Sequence, residues 1–421
     1  MTRQAKSGEA VVIGGGVVGL ASALALARRG FAVIVAEQDR ERRAASWGNA
    51  GHIAIEQVQP LASWSMIRSA PARLFARGGA LALPPREAKR WGPFAARMAA
   101  AARHSRFEHG AAALTMLMRE AMPAWKRLAP TLPAPDLLRE DGHFVLWQTR
   151  EGAAHGRAAW MNARIGAAEV RDVTADEMVR LLSLGQTPPA GAIRFTNTGQ
   201  IVDLSRLAEA LETALEQAGG RIVRDRARLV REGERAAVEL SDGARLAPDI
   251  VLLAAGVRSG ALIEPMGHRA PIIAERGYHI RSADHDWPAD LPPVVFEDRS
   301  MIVTRYADTV QAASFVELAS PDAPPDPAKW ERLEHHVAEL GLPMRGPFSR
   351  WMGARPTFPD YLPAIGRSRR AGNLLYAFGH QHLGLTLAPV TAEIVSALAA
   401  GERPGMDIAP FDLDRFARRG A

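Results

Sequence analysis

The chain has no cysteine. That excludes a disulfide framework, a thiolate metal site, an iron–sulfur cluster, a cysteine nucleophile and any prosthetic group linked through cysteine. Lysine is scarce too. Only Lys6, Lys89, Lys126 and Lys329 stand among 52 Lys plus Arg, and the formal charge of +6 is a small surplus of permanently charged guanidinium groups. These arginines are scattered and no nucleic-acid motif accompanies them, so no nucleic-acid partner is expected. No uninterrupted apolar run reaches about 18 residues, so no transmembrane helix is expected. Met1 to Glu9 is polar and leads into an apolar strand, unlike a signal peptide. The expected location is cytoplasmic, with peripheral contact at the inner membrane as a variant. What remains is ordinary: 421 residues, 47% hydrophobic and 23% charged, enough for two or three domains at roughly 150 residues each.

The most informative stretch comes first. Ala10 to Ile13 is apolar and ends in Gly14-Gly15-Gly16-Val17-Val18-Gly19. A helix is expected from Leu20 to Arg29, closed by Gly30, then a strand from Phe31 to Ala36 ending at Glu37. Strand, glycine turn, helix, strand and acid make a Rossmann unit for a dinucleotide. Gly14 serves the tight turn. Gly16 lets backbone approach a pyrophosphate, and Gly19 lets the helix pack on the sheet. The N-terminus of the helix that follows stabilises phosphate charge. Glu37 is placed to accept hydrogen bonds from ribose hydroxyls. Ser46-Trp47-Gly48-Asn49-Ala50-Gly51-His52 follows, small enough for backbone to pass close to a bulky ligand.

Residues 61 to about 135 are rich in Ala, Arg, Met and Trp, with helices expected over Arg86 to Arg103 and Ala111 to Leu128. Their Trp64, Met66, Phe75 and Trp91 suit either the core of substrate-domain helices or a basic amphipathic membrane-facing surface. A strand is expected over Glu140 to Gln148 and a helix over Thr174 to Leu184. Leu204, Leu207, Leu211 and Leu215 line one face of a helix from Asp203 to Gly219. Arg221 to Arg231 reads as a strand. Ile250 to Ala254 reads as a strand buried on both faces, running into Ala255-Gly256. Ser320 to Lys329, with four prolines, reads as a rigid exposed loop.

Three later segments carry candidate chemistry. In Glu275-Arg276-Gly277-Tyr278-His279-Ile280, an extended backbone puts Arg276 and Tyr278 on one face. They make either a pocket wall for a carboxylate or an edge strand with a solvated arginine. Trp351 to Gly366 contains Gly353-Ala354-Arg355-Pro356 and Asp360. Arg355 either grips a carboxylate with two parallel hydrogen bonds or braces the loop through Asp360. In Leu374 to Pro389 an apolar strand turns through Gly379-His380-Gln381-His382-Leu383-Gly384-Leu385-Thr386 into a helix. His380 and His382 point to opposite sides if extended. Each is either satisfied by backbone or turned into a pocket. No acid or histidine cluster supports them, so no metal site is expected.

The glycine fingerprint, Ser46–His52, Arg355–Gly366 and Gly379–Pro389, in this order, resemble the D-amino-acid oxidase-like FAD oxidoreductases. The resemblance spans nearly the whole chain. With Asn49-Ala50-Gly51 and the 61–135 insert, the chain is most similar to bacterial D-amino-acid dehydrogenases. Gln381 departs from the family's glycine. The resemblance implies an α/β fold: a Rossmann-type FAD-binding domain (1–60, 196–265 and 351–421) and a discontinuous α+β substrate domain (61–195 and 266–350). It implies non-covalent FAD, held by Gly14, Gly16, Val17, Val18, Gly19, Glu37, Ser46, Asn49, Ala50, Gly51, His52, Leu229, Ala254, Ala255, Gly256, Gly353, Gly379, His382, Gly384, Leu385 and Thr386. It implies oxidative deamination of an amino acid, D-amino acids favoured, with hydride passing from the α-carbon to flavin N5. Arg355, with Tyr278, would hold the carboxylate, and His52, His279 or His382 would serve if a base is needed. The electron acceptor would be a quinone, a carrier or oxygen. Oxidation of glycine, sarcosine, proline or another N-substituted amino acid stays open, as does the role of FAD subunit in a larger complex.

Overall fold

The computed structural model describes residues 8–417. Met1 to Ser7, most of the polar N-terminal stretch, lie outside the described residues. Two sheets organise the chain. The first has six strands in the order Arg221–Val223, Ala32–Ala36, Glu9–Ile13, Ile250–Leu253, Leu374–Phe378 and Ala364–Arg367. The first five are parallel and the last is antiparallel. Parallel strands buried on both faces need continuous apolar sequence, which Ile250–Leu253 and Leu374–Phe378 supply. In Glu9–Ile13 the alternation is visible. Ala10 and Val12 pack with helices Val17–Arg28, Leu204–Gln217 and Gly384–Ala399. Val11 and Ile13 pack with the small antiparallel sheet Ala227–Glu232, Arg235–Leu240 and Arg245–Leu246.

That small sheet corrects one expectation. Arg221 to Arg231 is not one strand: Arg221–Val223 joins the parallel sheet and Ala227–Glu232 starts the covering one. Arg224 to Arg226 turn the chain between them.

The second sheet has nine strands. Its path runs Ser349–Thr357, Ile273–Ser282, Val310–Ala319, Met301–Arg305, Val294–Phe296, His143–Trp147, Gly191–Phe195 and Val170–Asp172, with Leu81–Ala82 beside Val310–Ala319. Trp351 to Thr357 therefore extend this sheet, and the chain rejoins the parallel sheet at Ala364. Helices Trp64–Ser69, Ala88–Ala101, His104–Arg119 and Ala121–Leu128 occupy much of the 61–135 stretch. Pro123 sits in a first turn, where its missing N–H breaks no helical bond. Phe75 packs edge-on to Phe315, and the Trp91 indole donates to Pro84 O at 2.9 Å. Among the four apolar residues considered for a membrane face, only Trp64 is largely exposed, at 45%. Lys329 is not in an exposed loop. It lies in helix Pro327–Leu340 with its side chain buried. The segment Gln381–Ala399 is long and apolar enough to cross a membrane, yet 67% of it is buried in the fold.

Candidate active site

Three glycine or small-residue segments and one acid follow the carboxyl ends of adjacent parallel strands: Gly14–Gly16, Ala254–Gly256, Gly379 and Glu37. In open α/β sheets that edge is where ligands bind. A cavity of about 1160 Å³ opens there, between the two sheets. It exceeds the roughly 300–1,000 Å³ of ordinary small-molecule sites, leaving room for an extended dinucleotide and a small substrate.

At one end the lining is Gly14, Gly16, Val17, Val18, Glu37, Ala254, Ala255 and Gly256. The Glu37 carboxylate accepts from the Gly15 and Asp39 N–H groups. Ser46 accepts from Val17 N at 3.1 Å, tying the second loop to the helix N-terminus. Asn49, Ala50 and His52 continue the wall. Three side chains from the large sheet hold this loop. His279 Nδ1 meets Gly48 O at 3.1 Å, and Asn49 O accepts from Tyr306 at 2.6 Å and Gln311 at 3.1 Å. At the other end stand Gly353, Arg355, Gly379, His382, Gly384 and Leu385.

Four expected cofactor contacts lie outside the cavity lining. Gly19 serves packing, because a Cβ there would fall 1.9 Å from Gly14 O. Gly51 turns at φ +74° against Ile201 O. Thr386 accepts from Ala54 N at 3.0 Å inside the fold. Leu229 is in the core of the covering sheet, and Ala227, two residues earlier, reaches the cavity instead.

The candidate substrate wall is two paired strands, Ile273–Ser282 and Ser349–Thr357. Opposed residues in an antiparallel pair share a face. Glu275 is opposite Arg355, Gly277 opposite Gly353, and His279 opposite Trp351. Arg355 Nη1 donates to Glu275 Oε1 at 3.0 Å. Glu275 is 1% exposed and also accepts from Thr357 at 3.2 Å and Tyr361 at 3.3 Å. Arg355 therefore does not brace Asp360, which pairs with Arg415 at 2.7 Å. The guanidinium lies over Gly277, where a Cβ would meet its Nη2 at 1.8 Å.

Tyr278 borders the cavity, but its hydroxyl is turned with Arg276 into a buried network on the opposite face, away from the expected carboxylate. The Tyr278 hydroxyl accepts from Arg276 at 2.7 Å and donates to Glu317 at 2.5 Å. Lys329 closes this buried network, its Nζ 3.5 Å from Glu317. Burial and the Glu317 carboxylate push the Tyr278 phenol up to about 12.

The histidines divide as well. His380 is buried against Thr391 Oγ1 at 3.1 Å and is held neutral by burial, its pKa lowered to about 3. His382 lines the cavity, its Nε2 bonded to Gln57 Oε1. Burial lowers it to about 4, with a smaller opposing pull from Glu275. His279 stacks on Trp351 with ring centres 4.8 Å apart, and burial lowers it to about 3. His52 is lowered to about 4, by burial and then by His382. Gln381, where the family pattern has glycine, adopts φ +51°. The left-handed backbone that favours glycine persists, and the Gln381 amide donates to Tyr361 O.

Sequence reasoning missed Glu275. Its signal was Gly277 on the same face, which leaves space beside Glu275 for the Arg355 guanidinium. It also missed Gln57, Arg73 and Phe315, which reach the cavity from turns and strands without a motif.

The residues fit FAD. Cβ-free backbone, a helix N-terminus and an acid meet the dinucleotide end, and a second helix N-terminus at Gly384 borders the other. Comparisons agree. The family described as FAD dependent oxidoreductase matches residues 9–398. A D-amino-acid oxidase of Bradyrhizobium diazoefficiens is 29% identical, over 96% of this chain and 98% of its own. A D-amino acid dehydrogenase of Paramagnetospirillum magneticum is 31% identical, over 96% and 98%. The L-proline dehydrogenase structure from P. horikoshii superposes with a TM-score of 0.72 at 17% identity, over 98% of each chain, and supports the fold. With the family covering nearly all of the chain and the cavity built to match, the protein belongs to the FAD dependent oxidoreductases of the D-amino-acid oxidase-like superfamily, with FAD as its cofactor.

Proposed function

We propose that the chain deaminates amino acids oxidatively, prefers D-amino acids, and passes the electrons to a quinone or another carrier. The observation that carries this reading is Arg355: a guanidinium on the cavity wall, fixed by the buried Glu275 and free to pair with a carboxylate. The full-length relatives named for D-amino acids support the stereochemical part.

FAD, when bound, supplies the electron-accepting chemistry. The chain supplies orientation. Arg355 would grip the substrate carboxylate through its remaining N–H groups and set the α-carbon toward the ring. Glu275 would stop the guanidinium from swinging. His52, His279 and His382 are held neutral well below physiological pH. None of them takes up a proton readily near neutrality, so the substrate amine would enter as the free base.

The test is anaerobic bleaching of the flavin's visible absorption with D-, L- and N-methyl amino acids, followed by air. Bleaching by D-amino acids with slow recovery in air supports the proposal. Fast recovery makes the chain an oxidase. Bleaching only by N-substituted or cyclic amino acids replaces the substrate class. No bleaching of bound flavin by any of them refutes the reading.

A further inference from the structure

We propose that His52, Glu56 and His143 form a binding site for a divalent first-row transition cation. His52 opens the short strand His52–Ile53, Glu56 sits in the turn after it, and His143 opens His143–Trp147. One donor atom from each lies within 4.8 Å of the other two. A point within about 2.8 Å of all three therefore exists, under about 1 Å beyond the 2.0–2.2 Å bonds such ions make to imidazole and carboxylate.

The trio is otherwise hard to explain. Glu56 is 4% exposed and His143 2%. Glu56 Oε2 and His52 Nε2 are buried with no hydrogen-bond partner. Among the described residues, no lysine or arginine acts on the Glu56 carboxyl. A buried carboxyl with no cationic partner is costly to ionise even with hydrogen bonds from Gln57 and the backbone, and two unsatisfied atoms occur together in this cluster. His143 Nδ1 is already bonded to Thr198 Oγ1 at 2.8 Å, and the ring stacks on Phe195 at 4.6 Å. That leaves Nε2 as the ligand atom and supplies the outer hydrogen bond that metal-bound histidines usually have.

The electrostatics agree. Burial keeps both imidazoles neutral, the form that ligates. Burial also raises Glu56 to about 7, and a divalent cation would return it to the carboxylate. Two nitrogens and one oxygen suit zinc, manganese or iron(II) rather than calcium or magnesium. The ion would pin the 49–56 segment, which lines the cavity, to the large sheet.

The test uses the FAD-loaded full chain. After dialysis against metal-free buffer, zinc(II) and manganese(II) are titrated by calorimetry and thermal unfolding. The expected result is one equivalent bound, a rise in Tm, and at least tenfold weaker binding in Glu56→Gln and His143→Asn with flavin retained. Two results would overturn the site. One is no stoichiometric uptake by the wild-type chain, the outcome if a water bridges the trio. The other is unchanged affinity in both variants. The wild-type titration decides even if a variant fails to fold.

Discussion

Replacing Arg355 by alanine should do two separable things. Its Nη1 is paired at 3.0 Å with a carboxylate that is 1% exposed, while the arginine side chain is 25% exposed. Breaking a fully buried ion pair costs about 3–5 kcal/mol. Here Arg355 faces the cavity, and Glu275 keeps two neutral donors, Thr357 and Tyr361. The cost should drop to about 2–3 kcal/mol, seen as a fall of several degrees in Tm. Separately, the substrate carboxylate loses two charge-assisted hydrogen bonds at about 1.5–3 kcal/mol each. That raises KM about a hundredfold or more. The double variant Arg355→Ala with Glu275→Gln separates the two effects. It removes the stranded charge, so at least half of the lost stability should return while KM stays high. Steady-state kinetics with a panel of amino acids and thermal unfolding of wild type and both variants make the measurement. An unchanged KM in Arg355→Ala would refute the carboxylate-binding role. A double variant no more stable than the single would refute the Glu275 pairing as an energetic coupling.

Two further expectations test the corrected geometry. Tyr278→Phe should leave KM and kcat within about twofold but lower stability by about 1–3 kcal/mol, because Arg276 and Glu317 lose a buried partner. A large change in KM would return the phenol to the substrate wall. Acid should destabilise the fold through His279 and His380, each lowered from 6.5 to about 3 by burial. Their stabilisation is full above pH 6.5 and is lost as pH falls toward 3, since the unfolded chain takes up the protons first. Each adds up to about 1.4 kcal/mol per pH unit to that slope. Glu56, raised from 4.5 to about 7, acts in the opposite sense, its contribution fading as pH rises through that range. Urea midpoints from pH 7 to 4 should therefore fall in wild type and fall less steeply in His380→Gln. An equal slope in both would dismiss the histidine.

The Rossmann half was legible because its determinants are local. Four continuous apolar strands, a three-glycine turn and an acid at a strand end lie within short windows, and each element's period is visible in its own residues. The substrate wall was not, for a reason that strand geometry makes plain. The run Glu275 to Ile280 announces a strand and divides it into two faces, but which face meets the cavity is set by the register against Ser349–Thr357, about 70 residues or more away. A one-residue change of parity exchanges every side chain. Arg276 with Tyr278 looked like chemistry, while Glu275 and Gly277, on the other face, drew no role. The register reverses the two: the first pair is buried against Glu317 and Lys329, and the second frames Arg355. The same limit hid the three-residue cluster. His52 and Glu56 are four apart, but His143 joins them only through the packing of two strands. Residues whose role depends on a partner's register cannot be ranked by the chemistry of their side chains alone. Here the small residue was the better guide: Gly277, on the same face as Glu275, marks the place where the arginine had to lie.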